Sequence, residues 1–438
     1  MKTAEETAAC EHSLGLSERY ANVRQFTQAI CEPLSAEDCI VQSMPDASPI
    51  RWHLAHTTWF FETFLLKSLP DYQPYHHDFE FLFNSYYNSV GEQFPRHQRG
   101  LITRPSVHEV WDYRRHVDAQ VMRLLGDSAT LSHDFETILE IGIQHEQQHQ
   151  ELMLTDIKHA LSCNPLLPSY ANTAVDAEID QASTKDSPPN SVGWLEFCEG
   201  VYDFGHSAND SGFAFDNESP RHRAYLHDYK LADRLVTSEE YLAFMDDGGY
   251  RRPELWLSLG WAAVQEHHWQ APLYWQYREG AWHEFTLSGA RPLDQSSPVC
   301  HVSYFEADAF ARWSNKRLPT EFEWELASQD SPIEGNFAGS CIKRQLIHPR
   351  GLACTANAGY ARQMFGDTWE WTASQYSPYP GFTPAAGAIG EYNGKFMCNQ
   401  FVLRGGSCAT SQSHIRRTYR NFFPPSARWQ FTGIRLAD

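Results

Sequence analysis

Nowhere in the 438 residues is there an apolar run of about 20 residues, the length that spans a bilayer. Positive charge is scarce as well: 35 Lys and Arg against 55 Asp and Glu leave a formal charge of −20, which disfavours nucleic-acid backbones and anionic membranes as partners. The ten Cys include no C-x-x-C pair, and Met1 to Gly15 is polar and acidic, without the apolar centre of a signal peptide. These absences give the expectation of reduced thiols in a cytoplasmic protein. No internal repeat is found, and the one low-complexity tract is Tyr170 to Ser191, rich in Ala, Asp, Ser, Thr and Pro.

What is present is a globular composition, 42% hydrophobic and 21% charged, long enough for two domains of roughly 100–200 residues each. The first part reads as helices. Ser17 to Glu32 carries Tyr20, Val23, Ala29 and Ile30 at helical spacing and stops before Pro33. Ser35-Ala36-Glu37-Asp38 opens a short turn. Ser48 to Leu69 is a longer helical run with Pro49 at its start. Pro70 to Pro105 is irregular, and its density of Phe and Tyr argues for an ordered, functional loop. Ser106-Val107-His108-Glu109 is a capping box ahead of a helix to about Leu125. Asp134 to Leu161 closes a four-helix bundle.

That last helix contains Gln144-His145-Glu146-Gln147-Gln148-His149-Gln150-Glu151. Four residues apart on a helix, His145 and His149 project from one face and can grip one metal ion. The same letters match H-E-x-x-H, the zinc-protease signature with Glu146 as base. Against that reading, the extended pattern requires glycine at position 152 and histidine at 155, where Leu152 and Thr155 stand. The other protease type needs a glutamate on a further helix, and a polar, Pro-containing linker follows instead. A third ligand must come from elsewhere, and His53 and His56, three apart on the second helix, both qualify.

Beyond the linker, Gly, Trp, Asn and short alternating runs dominate, with helices over Thr237 to Asp247 and Tyr304 to Lys316. Pattern alone indicates an α+β or irregular β-rich domain. It carries six words in order: Gly200-Val201-Tyr202-Asp203-Phe204-Gly205, Glu218-Ser219-Pro220-Arg221-His222, Pro298-Val299-Cys300-His301-Val302-Ser303, Arg317-Leu318-Pro319-Thr320-Glu321-Phe322-Glu323-Trp324-Glu325, Gly366-Asp367-Thr368-Trp369-Glu370-Trp371 and Arg404-Gly405-Gly406-Ser407. From about Gly193 to Asp438 these resemble the formylglycine-generating-enzyme family, which has a C-type-lectin-like fold. That family's founding activity needs a cysteine pair after the R-G-G-S word, and here only Cys408 follows.

The whole chain resembles the ergothioneine-biosynthesis sulfoxide synthases, in their cysteine-using branch. The resemblance implies an N-terminal DinB-like four-helix bundle over 1–168, a linker over 169–192 and a formylglycine-generating-enzyme-like, C-type-lectin-like α+β domain over 193–438. It implies non-haem Fe(II) held by three histidines. Two come from H-x-x-x-H-x-E, matched by His145, His149 and Glu151, and the third from Leu54-Ala55-His56, which leaves His53 as a structural neighbour. Three neutral imidazoles suit Fe(II) and leave positions for a thiolate, a second substrate and O₂.

The implied reaction joins cysteine to the imidazole C2 of Nα-trimethylhistidine (hercynine) and oxidises the sulfur, with O₂ as oxidant. Tyr86 and Tyr87 are the candidate proton donors, since one branch of the family places a tandem tyrosine in this loop; Tyr376 and Tyr379 are the fallback. The resemblance assigns substrate contacts to Gln148, Asn421, Phe422 and Phe423, whose aromatic faces and carbonyl oxygen suit a trimethylammonium with no N–H to donate. Members using γ-glutamylcysteine resemble Asn-Trp-Asp at Asn421-Phe422-Phe423; without that acid, free cysteine is the better fit, with Arg96 or Arg420 for its carboxylate. Two readings compete. An ovothiol-type synthase would bond at C5 of unmethylated histidine, and a non-catalytic bundle–lectin protein would bind metal without consuming O₂.

Overall fold

The computed structural model describes residues 15–126, 132–171, 192–343, 346–352, 359–385, 387, 390 and 392–438. Of the expected linker, 172–191 lie outside these residues. The chain divides into two compact units, Met1–Ala171 with Ala385–Tyr392, and Asn172–Pro384 with Asn393–Asp438. The first thus takes in a short segment that the sequence reading places in the second domain.

The first unit is helical: α1 (Leu16–Cys31), α2 (Ile50–Phe64), α3 (Phe79–Phe83), α4 (Val107–Gly126) and α5 (His133–Ser162). The ends follow local chemistry. Ser132 caps α5 by accepting from the Phe135 N–H, with Asp134 and Glu136 in the first turn facing the helix's positive end. At α4, Ser106 and Glu109 exchange the two hydrogen bonds of a capping box. Helix α2 packs on both α4 and α5, while α1 packs on α5 and more lightly on α4.

Every residue of α2 from Ile50 to Glu62 is buried, so its polar side chains must find partners inside the protein. Glu62 accepts from Tyr113 Oη at 2.6 Å, Tyr72 Oη at 2.7 Å and the Tyr75 N–H at 2.8 Å. Thr58 bonds back to the Leu54 carbonyl. His53 and His56 take their partners from α5 and the last residue of α3.

Glycine 142 sets how closely α2 and α5 approach. A Cβ there would sit 2.3 Å from Phe61 Cε1, far inside contact distance. Gly142→Ala is therefore expected to lower stability by about 1–3 kcal/mol through overpacking. This outweighs the roughly 1 kcal/mol that alanine gains over glycine in a helix interior. Urea unfolding of the metal-free protein checks the sign.

The second unit contains β1 (Trp194–Phe197), β2 (Gly200–Phe204), β3 (His222–Leu226), β4 (Tyr229–Ala232), α6 (Ser238–Asp246), α7 (Ser258–His267), β5 (Trp275–Arg278), β6 (Ala281–Thr286), β7 (Gly289–Pro292), α8 (Tyr304–Trp313), α9 (Glu321–Ala327), α10 (Ala338–Lys343), β8 (Trp369–Gln375), β9 (Phe401–Arg404), β10 (Asn421–Phe423) and β11 (Thr432–Gly433). Its largest sheet runs β10-β9-β8-β11, antiparallel except for the parallel β8–β11 pair. A three-stranded meander, β5-β6-β7, and two antiparallel pairs, β1–β4 and β2–β3, complete the strands among the described residues.

Four of the six sequence words supply joints of this unit. Glu325 accepts from the Gly205 N–H at 2.8 Å and pairs with Arg404. Glu323 caps α9 through Thr320 and pairs with Arg317 through two 2.7 Å contacts. Glu370, fully buried, accepts from Arg435 at 2.7 and 3.0 Å and from Trp324 Nε1 at 2.9 Å. Gly405 has φ +95°, and a Cβ there would lie 2.4 Å from the Met364 carbonyl oxygen, so the R-G-G-S word needs its glycine for close backbone approach. Among the described residues, no helix is long and apolar enough to cross a membrane.

Candidate metal centre

Helix α5 sorts its polar residues by face. Glu146 and Gln150 turn toward α1, and His145 and His149 turn toward α2. Gln150 Nε2 donates to the Val23 carbonyl at 2.9 Å and Thr27 Oγ1 at 3.0 Å. The Glu146 carboxylate accepts from Arg24 Nη1 at 2.8 Å, Thr27 Oγ1 at 2.6 Å and Arg114 Nη2.

These partners, led by Arg114 and Arg24, outweigh burial and hold the Glu146 carboxyl down at about 2. A glutamate so occupied and so weakly basic cannot serve as the base of a zinc protease. Glu146→Gln would leave the buried Arg114 guanidinium without its carboxylate and Arg24 with Asp118 alone, and is expected to cost about 3–5 kcal/mol in chemical denaturation.

On the other face, His56, His145 and His149 each offer one ring nitrogen, all within 4.8 Å of one another, and all three rings are buried. His56 Nδ1 donates to the Phe83 carbonyl at 2.6 Å, which directs its Nε2 lone pair inward. That Nε2 lies 3.2 Å from His145 Nε2. Two imidazole nitrogens bound side by side to one ion at ~2.1 Å lie about 3 Å apart, so the spacing fits a shared metal. Further, His145 Nδ1 is buried with no hydrogen-bond partner among the described residues. Burial pulls all three imidazoles below their ordinary range, His145 to about 4, so they are neutral, the form that binds metal.

The rings are wedged by aromatics. His56 stacks on Trp52 with centroids 4.5 Å apart and planes 13° from parallel, and on Trp59 at 5.5 Å and 15°. Phe60 packs against His145 at 4.9 Å. Trp52 is covered in turn by the Arg99 guanidinium, 3.3 Å from its ring centroid.

A cavity of about 60 Å³ opens at the three imidazoles, lined also by Ser48, Trp52, His53, Leu152 and Asp156. The loop after α3 supplies Ser85, Tyr86, Tyr87, Arg96 and Arg99, and the returning segment supplies Tyr392. Both members of the tandem tyrosine therefore reach the wall. Tyr86 Oη accepts from Arg96 Nη1 at 3.0 Å. Tyr87 is buried against Trp59 and Phe64. Gln148 is not among the residues lining the cavity.

Two lining residues were not singled out from the sequence. Tyr392 lies with its ring centroid 6.4 Å from that of His145 and 6.2 Å from that of Tyr86. Arg99 is buried, yet the partners of its Nη atoms are the neutral hydroxyls of Ser48 and Ser85, at 2.9 and 3.1 Å. Its Nε has no partner among the described residues, and burial pulls its guanidinium down to about 9. A buried cation at a cavity wall without an ion-paired carboxylate favours an anionic ligand. The spacing Arg96-x-x-Arg99, on one turn of helix, was the available clue.

The C-terminal candidates lie in the second unit. Arg420 donates to Glu321 at 2.8 and 3.0 Å and to the carbonyls of Asn217 and Ser377 at 2.8 and 2.9 Å, so most of its donors are engaged. Asn421, Phe422 and Phe423 form β10. Phe422 stacks on Tyr376 at 4.1 Å and 10°, and Phe423 meets Trp429 edge-on at 6.0 Å. Tyr376 Oη accepts from Asn217 at 2.8 Å, and Tyr379 Oη donates to Glu321 at 3.2 Å.

Comparison with known proteins agrees with both halves. Residues 197–438 match the sulfatase-modifying factor enzyme 1-like domain family, and residues 19–153 match the DinB superfamily. The chain is 31% identical to a hercynine oxygenase of Mycobacterium tuberculosis over 440 residues, 95% of this chain and 97% of that protein. It is 34% identical to a hercynine oxygenase of Mycolicibacterium thermoresistibile over 323 residues, 67% of each.

Proposed function

The chain belongs to the hercynine oxygenase family of oxygenase-type enzymes in ergothioneine biosynthesis, and from that premise we propose a site and a substrate pair. The metal is Fe(II), held by His56, His145 and His149. The substrates are cysteine, Nα-trimethylhistidine and O₂, and the product is the sulfoxide joined at imidazole C2. The balance is R–SH plus imidazole C–H plus O₂ to R–S(=O)–imidazole plus water. The convergence of three neutral, buried imidazoles is the observation that carries this reading. A bound Fe(II) would supply O₂ activation and gather both substrates at one centre.

The remaining work falls to side chains. Arg99 and Arg96 meet the carboxylate of the thiol substrate, Arg99 because it is buried without an ion-paired counter-charge. Tyr86 or Tyr87 delivers a proton to the oxygen that leaves as water. Trp52, Trp59 and Phe60 keep bulk water from the histidines. Gln148, Asn421 and Phe422 remain proposed contacts for the trimethylhistidine, and Phe423 the residue that leaves a glutamyl amine without an acid. Arg420 holds its segment through Glu321.

Two experiments test the proposal. Protein loaded anaerobically with Fe(II) and opened to air with both substrates should give the adduct by mass spectrometry. Iron binding without O₂ consumption would instead support a non-catalytic binding protein. Competition between cysteine and γ-glutamylcysteine should then show the higher kcat/KM for cysteine, and the reverse preference would overturn the role of Phe423.

A further inference from the structure

Behind His149 lies a chain of buried hydrogen bonds. His53 Nδ1 is 2.8 Å from His149 Nδ1, and His53 Nε2 is 3.1 Å from Asp156 Oδ2. Asp156 Oδ2 also accepts from the Ser48 N–H at 2.7 Å, which ties the end of the chain to backbone just ahead of α2. His53, Asp156 and His149 are respectively 2%, 5% and 8% exposed, so these bonds form largely out of water.

With neutral rings, one arrangement of protons satisfies both contacts. The Asp156 carboxylate can only accept, so His53 carries its proton on Nε2. Its Nδ1 is then a lone pair, and the facing His149 Nδ1 must be the donor. That leaves the His149 lone pair on Nε2, the atom free to join His56 and His145 at the cluster.

We propose that Asp156 and His53 are positioning residues that fix the tautomer and ring orientation of His149 for metal binding. The inference rests on reading His149 as a metal ligand and gives His53 a task beyond filling space. A carboxylate that orients a ligand histidine through a second imidazole raises the donor strength of the ligating nitrogen, as direct carboxylate–histidine–metal contacts do.

Two substitutions at one position separate hydrogen bonding from packing. His53→Phe keeps an aromatic ring but removes both nitrogens. His53→Gln loses the ring but keeps an acceptor for His149 and a donor for Asp156 on one planar head. The relay predicts that His53→Phe weakens Fe(II) binding about 10–100-fold, measured by chelator competition, while His53→Gln stays much closer to the unaltered protein. Asp156→Ala combined with His53→Phe should weaken binding no further than His53→Phe alone, because both break one chain. The visible ligand-field spectrum of the Co(II)-loaded protein should shift in His53→Phe and not in His53→Gln. A reversed order, or additive losses in the double variant, would overturn the relay while leaving the three-histidine site intact. Failure of the unaltered protein to bind Fe(II), or indifference of binding to His56→Ala, would instead overturn the metal reading itself.

Discussion

His56→Ala is expected to leave the protein without retained iron and without C–S bond formation. In the proposed site three imidazoles hold the ion while leaving positions for substrates, and His56 is the one of the three contributed by α2. The loss should exceed the ~10–100-fold typical of outer partners, because a ligand itself is removed. The change also opens space between Trp52 and Trp59 and leaves the Phe83 carbonyl without its donor, a penalty of about 1–3 kcal/mol for the fold. Iron per chain after desalting therefore has to be read beside the melting temperature of the metal-free protein. His53→Ala is the contrast: weaker binding, yet iron retained at micromolar protein. If His56→Ala keeps its iron and His53→Ala loses it, the third ligand is His53.

The second large effect concerns the tyrosines. Free phenol has a pKa near 10, so it is protonated at neutral pH yet able to give a proton across a hydrogen bond. Removing the hydroxyls of Tyr86 and Tyr87 should affect substrate binding far less than the chemical step, the loss being confined to the Tyr86 contact with Arg96. It should slow sulfoxide formation by about 10²–10⁴-fold, the range for loss of a positioned acid. Oxidation of the thiol alone, to cysteine sulfinate, would then claim a larger share of the product. Tyr86→Phe, Tyr87→Phe and the double variant are compared by product ratio and single-turnover rate. A double variant with the original ratio and rate would eliminate both residues, leaving Tyr392 and then Tyr376 and Tyr379.

The parts of this site legible in the sequence are those that local geometry dictates. His145 and His149 share a face because a helix turns every 3.6 residues, and the helix itself follows from apolar spacing. The long aromatic loop was legible as ordered, and it places Tyr86, Tyr87, Arg96 and Arg99 at the cavity. What local pattern cannot give is which distant residue answers a buried charge. Glu146 looks like a protease base until Arg24 and Arg114, 122 and 32 residues away, are seen to hold it. The contact of His53 with Asp156 spans 103 residues, and Tyr392 arrives from a segment that pattern assigns to the other domain. In the second unit, β10 and β11 are three and two residues long, too short for alternation to register. The six words located that domain, but that Glu325, Glu370 and Arg404 within them form buried charge-paired joints emerges only in three dimensions.

The most direct test of the central claim is X-ray absorption at the iron edge of the anaerobic, Fe(II)-loaded protein without substrates. The account predicts a first shell of light atoms only, with the outer-shell scattering pattern of three imidazole rings, and one imidazole fewer in His56→Ala. A first shell with fewer than two imidazoles, or one containing protein sulfur, would contradict it.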